Sequence, residues 1–529
     1  MQDAKVTEVG RDVPGPPQEV CPYLSAHGGN FPVMHPMRPP ARCGIAFCGA
    51  GKLTGRPMAI RYFNSFSRQV EEFVPLEPGR VRLYTCGPTV YNFAHIGNFR
   101  AYIFEDLLQR HLEYRGLKVA RVMNLTDVDD KTIRGCRAAG IPLADFTRPF
   151  KTAFFEDLDT LRIKRADHFP EATSADHIAR MILMISALVE KGHAYRADDG
   201  SVYFRICSFP AYGRLAHIVL DELQPGARVR SDEYEKESAG DFALWKAHDE
   251  ADGDVWWESP WGRGRPGWHI ECSAMATGIL GPQLDIHCGG EDNIFPHHEA
   301  EIAQSECVTG LRFAKYWLHC KHLQVEGSKM AKSAGNFFTL RDLMEKGWTG
   351  REVRLALLSV KYREPLNFTM DGLAAARSAL ARLDEWAARI SEAASGGGQG
   401  AAAAAADPLP PDFPEMEAFG AALDDDLNIS AALAAVFELI RETNRRIDAG
   451  NLSAAQAGSL AAWLRGAHSV LALEPEPDAI PGAVESLLAR RAGARDAKDW
   501  KASDALRDEI SALGWTVKDT RDGQKLLRG

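Results

Sequence analysis

The chain runs to 529 residues, 45% of them hydrophobic and 25% charged, with a formal net charge of −10. Such a length outgrows one hydrophobic core and calls for about two to four domains, while the acidic balance excludes a chain that coats nucleic acid indiscriminately. The longest apolar run at a helix, MILMISALV (181–189), falls far short of a bilayer. No N-terminal apolar block reads as a signal peptide, and the ten cysteines are scattered in a way that suits a reducing cytoplasm better than a disulfide framework.

In chain order, residues 1–57 come first, with Pro/Gly-rich stretches (VPGPPQEV, MHPMRPPARCG, GAGKLTGRP) that lack periodicity. They are expected to stay unfolded. GAGK completes no phosphate-binding loop, because the G-x-x-x-x-G-K-[ST] spacing is absent. Folded sequence starts at MAIRYFNSFS, which makes Met58 a candidate start. A β-α-β pattern follows: VRLYT (81–85) alternates as a strand, FRAYIFEDLLQRHLEYRG (99–116) repeats its apolar residues at helical spacing, and KVARVMNL (118–125) is a second strand. Alternation of this kind predicts a parallel sheet covered on both faces, with ligands at the carboxyl ends of its strands. A long helix is expected over 174–192, and a hairpin over 194–206 that turns at Asp199-Gly200. Beyond about Asp371 the chain is helical and rich in Ala and Leu, interrupted by the low-complexity SGGGQGAAAAAADPLPP (395–411). From Glu485 to Gly529 ten Lys and Arg face eight Asp and Glu, a mildly basic end that permits contact with RNA.

The stretch FPHHEAEIAQ (295–304) carries the most chemistry. Pro296 suits the first turn of a helix, and His297 and Glu301, four apart, then project from one face. An imidazole and a carboxylate so placed are ordinary zinc ligands, to which Cys86 and Cys272 can add thiolates. The alternative stays open at this level: a His/Glu pair at this spacing is often a solvated helix face, and cysteine is among the most buried residue types.

Taken together, YTCGPTVYNFAHIGN, MNLTDVDDKT, GWHIECSAM, DIHCGGEDNIFPHHEAEIAQ and KMAKSAGN occur in an order that resembles the cysteinyl-tRNA synthetase family of class I aminoacyl-tRNA synthetases, from about residue 59 to the C-terminus. The resemblance implies an α/β fold: a class I synthetase Rossmann-type parallel sheet with a connective insertion, followed by an α-helical bundle and a small C-terminal anticodon-binding domain. It divides the chain into an N-terminal extension (1–57), a catalytic domain (58–340) with its insertion at about 175–265, a stem-contact region (341–375), a bundle (376–480) and an anticodon-binding domain (481–529). It implies one zinc per chain on Cys86, Cys272, His297 and Glu301, taking the thiolate of substrate L-cysteine. An apolar pocket rejects a near-isostere such as serine by only about two orders of magnitude, whereas zinc binds a thiolate at about 2.3 Å and a neutral hydroxyl poorly. Gly87, Thr126, Trp268 and Asp292 fall at family positions for binding the amino acid.

HIGN (95–98) corresponds to the family's HIGH motif and KMAKS (329–333) to its KMSKS loop. The resemblance therefore assigns ATP binding to Thr89, His95, Gly97, Asn98, Lys329 and Lys332, with His95, Asn98 and both lysines as the catalytic set and magnesium accompanying ATP. Three residues depart from the family pattern: Asn98 replaces a histidine, Ala331 a serine, and Cys288 a glycine. Asn98 still donates hydrogen bonds, and Cys288 is expected to pack as a small apolar side chain. The implied partners are tRNA(Cys), L-cysteine and ATP, with no membrane, for a monomeric cytoplasmic chain. The closest rival is a cysteine ligase of the mycothiol pathway, which lacks the C-terminal third and passes cysteine to an amino sugar. The other is a non-catalytic RNA-binding paralogue. In the C-terminal domain Trp500, Arg507 and Trp515 are candidates for stacking or phosphate contacts with anticodon bases, with core packing the expected role of at least one tryptophan.

Overall fold

The computed structural model of the chain describes residues 59–218, 241–330, 335–395, 413–475, 482–520 and 523–528. The segment 1–57, Ala331, Lys332 and residues 396–411 of the low-complexity stretch lie outside the described residues. An antiparallel hairpin, β1 (Arg61–Asn64) and β2 (Gln69–Glu72), precedes the first strand of the main sheet, β3 (Arg80–Thr85). Helix α1 (Ile96–Tyr114) crosses over to β4 (Lys118–Met123), which pairs with β3 in parallel. Three helices follow, α2 (Asp130–Ala139), α3 (Leu143–Thr160) and α4 (Ala175–Glu190). A four-stranded antiparallel sheet is then inserted, built from β5 (Ala194–Arg196), β6 (Val202–Phe204), β7 (Phe242–Ala247) and β8 (Gly264–Pro266) in that order.

The chain returns through α5 (Trp268–Leu280) to β9 (Leu284–Gly290), α6 (Glu299–Thr309) and β10 (Ala314–Cys320). The main sheet has the order β10-β9-β3-β4, parallel throughout. β9 and β10 are buried along nearly their whole length, as a sheet covered on both faces requires. The chain leaves β3 to one side for β4, and β9 lies on the other, so the strand order reverses at the carboxyl end of β3. Open parallel sheets bind ligands at such a point.

Beyond the sheet come β11 (Leu323–Val325), β12 (Ser328–Lys329), α7 (Leu340–Glu345), α8 (Gly350–Leu358) and β13 (Leu366–Phe368). A helical region follows: α9 (Met370–Ser395), α10 (Pro414–Asp424), α11 (Ile429–Asp448) and α12 (Ala454–Leu471). The Trp386 indole on α9 donates to Thr443 Oγ1 on α11 at 2.7 Å inside this bundle. The C-terminal unit consists of α13 (Gly482–Asp496), α14 (Trp500–Ala512) and the hairpin β14 (Trp515–Thr520) and β15 (Gly523–Arg528), closed over Val484, Ile510, Trp515 and Val517.

The expected helix at 99–116 begins three residues earlier, because His95 and Asn98 form a reciprocal cap: Asn98 N donates to His95 Nδ1 at 3.2 Å, and His95 N donates to Asn98 Oδ1 at 3.1 Å. The other end of α1 is tied to the bundle. Asp424 accepts from His111 at 3.0 Å and from Arg115 Nε at 2.7 Å, all three side chains buried or nearly so. One helix thus joins the turn beyond the carboxyl end of β3 to the helical bundle. Among the described residues, no helix is long and apolar enough to cross a membrane.

Candidate active site

Cys86 follows the last residue of β3, its amide donating to the Cys288 carbonyl on β9 at 3.3 Å. Gly87 comes next, where the backbone runs so close to Asn124 that a Cβ would stand 1.8 Å from that residue's carbonyl oxygen. Only glycine fits there. Thr89 and Thr126 face each other in an isolated parallel bridge, so Cys86, Gly87, Thr89 and Thr126 share one corner of the sheet.

Four of the expected residues converge at that corner. One ligand atom from each of Cys86, Cys272, His297 and Glu301 lies within 4.8 Å of all the others. Cys272 comes from α5 and is buried, Cys86 is half-buried, and Glu301 is wholly buried on α6. His297 Nε2 lies 3.1 Å from Glu301 Oε1, and Cys86 Sγ lies 3.9 Å from the same oxygen. The helix that carries this pair differs from its expected form. Regular α-helix starts only at Glu299, after a wide turn Ile294–His298 in which Phe295 is extended. Pro296 therefore sits in this turn, and His297 still reaches Glu301.

The electrostatics suit a cation. Burial pushes the Cys272 thiol up, but hydrogen bonds and the His297 charge bring it down to about 6. For Glu301, burial is outweighed by the charges of His287 and His297, which hold it at about 2. Burial would lower His297, yet Cys272 and Glu301 raise it to about 10. The corner holds two anions around an imidazolium, and a divalent cation there would displace the imidazolium proton. Two thiols, an imidazole and a carboxylate are a donor set for zinc rather than for the oxygen-seeking magnesium or calcium.

A shell of histidines that the sequence reading did not single out surrounds the four. His269 Nδ1 lies 2.9 Å from His297 Nδ1, leaving the other nitrogen of His297 to face Glu301. His287 Nε2 bonds Glu301 Oε2 at 2.9 Å. His298 Nε2 lies 3.3 Å from Cys86 Sγ, its Nδ1 is 2.8 Å from His319 Nε2, and His319 Nδ1 meets Ser65 Oγ at 2.8 Å. Cys86, His287, His298 and Glu301 thereby form a second group of four within 4.8 Å, overlapping the first. In it His287 and His298 spend their inward nitrogens on Glu301 and Cys86, the arrangement of residues that orient ligands. Burial lowers both His298 and His319, the latter to about 3, so both rings are neutral. The signal in the sequence was histidine embedded in apolar strands and helices, as in LDIHC and YWLHC.

The remaining expected residues are distributed around this corner. The Trp268 indole stacks on His297 with centroids 4.0 Å apart. Asp292 lies on the short turn Glu291–Asn293 after β9, exposed. His95 caps α1, and Gly97 and Asn98 lie in its first turn; the Ile96 and Asn98 amides are bonded within the protein, and the helix dipole at this end favours an anion. A Cβ on Gly97 would stand 2.9 Å from His95 Nδ1 and 3.3 Å from Met330 Cε, which places the KMAKS segment against the HIGN turn. Ile96 N also donates to Phe338 O at 3.0 Å, and Asn336 Nδ2 to the carbonyl of exposed Lys329 at 3.1 Å. Cys288 is fully buried in the main core and joins neither donor group, so it packs as expected. In the C-terminal unit Trp515 is 6% exposed and belongs to the core, whereas Trp500 is 57% exposed.

Residues 72–378 match the family described as the tRNA synthetases class I (C) catalytic domain. A curated relative, the cysteine–tRNA ligase of Protochlamydia amoebophila (strain UWE25), is 48% identical over 475 residues, spanning 89% of this chain and 98% of the relative. The chain belongs to the cysteine–tRNA ligase family. Another member, from Chlamydia pneumoniae, is 49% identical over 474 residues, covering 88% and 98% of the two chains. Residues 418–473 match the DALR domain and 478–526 the cysteinyl-tRNA ligase anticodon binding domain. Among solved structures, Mycobacterium tuberculosis methionyl-tRNA synthetase in complex with methionyl-adenylate superimposes with a TM-score of 0.55 at 16% identity, over 74% of this chain and 89% of that one. The ternary LeuRS complex of Agrobacterium radiobacter K84 gives 0.55 at 14% identity, over 76% and 85%. Both show the shared class I synthetase fold.

Proposed function

We propose that this chain activates L-cysteine with ATP and transfers it to tRNA(Cys), acting as a monomer in the cytoplasm. The observation that carries the reading is the buried convergence of Cys86, Cys272, His297 and Glu301, of which Cys86 stands on the same stretch of chain as the HIGN turn. These four side chains would hold zinc, which when bound supplies a Lewis-acidic site that takes a thiolate and discriminates against the serine hydroxyl. Trp268 covers the substrate side chain, while Gly87, Thr126 and Asp292 hold its amino-acid end.

The cysteine carboxylate attacks the α-phosphorus of ATP, releasing pyrophosphate, and the terminal ribose hydroxyl of the tRNA then attacks the acyl carbonyl. Neither step uses a protein nucleophile, so positioning and charge carry the catalysis. Thr89, His95, Gly97, Asn98 and the α1 N-terminus receive the phosphates of magnesium-bound ATP. Lys329 and Lys332 supply positive charge as the pyrophosphate gains negative charge. Residues 58–340 act as the catalytic domain, with an insertion at about 175–265; 341–375 contact the acceptor stem, 376–480 form the bundle, and 481–529 read the anticodon.

The mycothiol-pathway reading is disfavoured by the match of 478–526 to the anticodon binding domain, and the non-catalytic reading by the presence of His95 and all four metal-site residues. Cysteine-dependent exchange of labelled pyrophosphate into ATP, followed by charging of bulk tRNA, tests all three. Exchange and charging are expected; exchange without charging favours the amino-sugar ligase, and no exchange defeats both enzyme readings. Removing residues 480–529 should raise the KM for tRNA and spare exchange.

A further inference from the structure

Glu271 is a buried acid that the proposed chemistry does not use. It precedes Cys272 on α5, is 1% exposed, and makes no ion pair among the described residues; its Oε1 has no hydrogen-bond partner there. Burying a carboxylate with so little compensation is costly, and an apolar side chain of similar size would be cheaper for stability alone. Its one side-chain hydrogen bond among the described residues leads across the corner. Thr126 Oγ1 donates to Glu271 Oε2 at 2.9 Å and accepts from Asn124 Nδ2 at 3.2 Å, and Asn124 Oδ1 accepts from the Gly87 amide at 3.0 Å. Main-chain bonds reinforce this chain: Thr126 N donates to Pro88 O at 3.1 Å and Val90 N to Thr126 O at 3.0 Å. The chain begins beside Cys272 and ends beside Cys86. These two thiols come from elements 186 positions apart in sequence (272 − 86) and share no backbone ladder, since α5 is a helix and β3 a strand.

We propose that Glu271 is a positioning residue which, through Thr126 and Asn124, sets the Gly87 turn and thereby fixes Cys86 relative to Cys272 for the metal and the substrate thiol. This rests on the cysteine-activating reading above, and extends it to residues that touch neither metal nor ATP. A chain of donors and acceptors suits the task, because each bond is directional and a one-residue slip at Gly87 would collide with the Asn124 carbonyl. Holding ligands from outside the donor set typically accounts for about 10–100-fold in metal affinity or activity.

The test uses the zinc-loaded full chain and three variants: Glu271→Met, Glu271→Gln and Thr126→Val. The first readout is the rate of zinc loss to a chelator with no substrate present; the second is the KM for cysteine against the KM for ATP in pyrophosphate exchange. Glu271→Met is expected to lose zinc about 10–100-fold faster and to raise the KM for cysteine about tenfold, with the KM for ATP unmoved and the melting temperature no lower. Glu271→Gln, which keeps an acceptor for Thr126, should restore both. Thr126→Val should release zinc as fast as Glu271→Met, and the double variant no faster than either, since all break one chain. Wild-type zinc retention in Glu271→Met overturns the proposal, as does a Glu271→Gln that behaves like Met, or a parallel rise in both KM values. A wild-type chain that holds zinc but shows no cysteine-dependent exchange defeats the functional reading alone, leaving the metal-release result to judge Glu271. A wild-type chain that holds no zinc overturns this inference.

Discussion

Two regions of this molecule place arginines and carboxylates together in opposite ways. In the catalytic half the carboxylates themselves are buried: Glu301 is wholly enclosed between His287 and His297, and Asp157 on α3, its side chain 5% exposed, lies 3.3 Å from Arg341. In the C-terminal unit a single half-exposed carboxylate, Asp519, gathers Arg491, Arg495 and Arg507 at 2.9 to 3.4 Å. The first arrangement is enclosed within the protein, which suits a site for a small substrate. The second buries Arg491 but leaves Arg495 and Arg507 partly exposed, where a flexible polyanion can meet them. Enclosure belongs to the small substrate and accessible charge to the large one.

The comparison breaks hardest at the metal corner. Cys272→Ser removes a thiol that is held low, at about 6, among the other donors. Zinc content should fall from one per chain towards none, and cysteine-dependent exchange by more than about a hundredfold, beyond what orienting residues contribute. Equal zinc in wild type and variant would refute the ligand assignment. The same kind of truncation in the other region should read out differently. Trp515 fills the small core of the C-terminal unit, so Trp515→Ala should cost about 3–5 kcal/mol of that unit's stability, seen as an early melting transition, with exchange intact. Loss of exchange in that variant would mean that the two regions do not work separately.

The parallel sheet was legible because its strands and crossover helix carry unambiguous apolar periodicity, and the four residues that converge at the sheet's corner were legible through their motifs. What escaped was set by contacts distant in sequence. Ser65 and His319 are 254 positions apart, Cys86 and His298 are 212, and Asp424 and His111 are 313; no local pattern announces such pairs. The start of α1 was misplaced because HIGN reads as a turn, while His95 and Asn98 in fact cap the helix they begin. Trp500 stands between Asp499 and Lys501 and Trp515 between Leu513-Gly514 and Thr516-Val517, a local difference that agrees with the surface place of the first and the core place of the second.

Asp157 and Asp519 should titrate with opposite sign. Burial pushes Asp157 up to about 6 from an ordinary 3.8, despite Arg341. It holds its proton more tightly folded than unfolded, so its stability contribution is fully present below about pH 4 and lost as pH rises through about 6. The loss is about 3 kcal/mol at most. Asp157→Asn should remove that slope from urea unfolding measured between pH 4 and 8; Arg341 keeps Glu156 at 2.9 Å, so no cation is stranded. Asp519 lies below the usual range because Arg491 hydrogen-bonds it. Its contribution is present above the unfolded pKa and is lost as pH falls through the folded one. An unchanged slope in Asp157→Asn would show that burial does not govern that group.

The finest test concerns Trp500, where exposure argues for a ligand more than for stability. A tryptophan that is 57% exposed, with the Arg495 guanidinium 5.7 Å from its ring, offers an unpaired base a stacking face beside a positive charge. Trp500→Ala removes little buried surface and should leave the melting temperature of the C-terminal unit unchanged, in contrast to Trp515→Ala. One stacked base is worth about 1–2 kcal/mol, so the KM for tRNA should rise several-fold while pyrophosphate exchange stays at its wild-type rate. Trp500→Phe keeps a ring and should recover most of the difference. If Trp500→Ala charges tRNA as well as the wild type does, the exposed face of α14 is not where the anticodon stacks, and the partly exposed Arg495 and Arg507 beside Asp519 become the next groups to test.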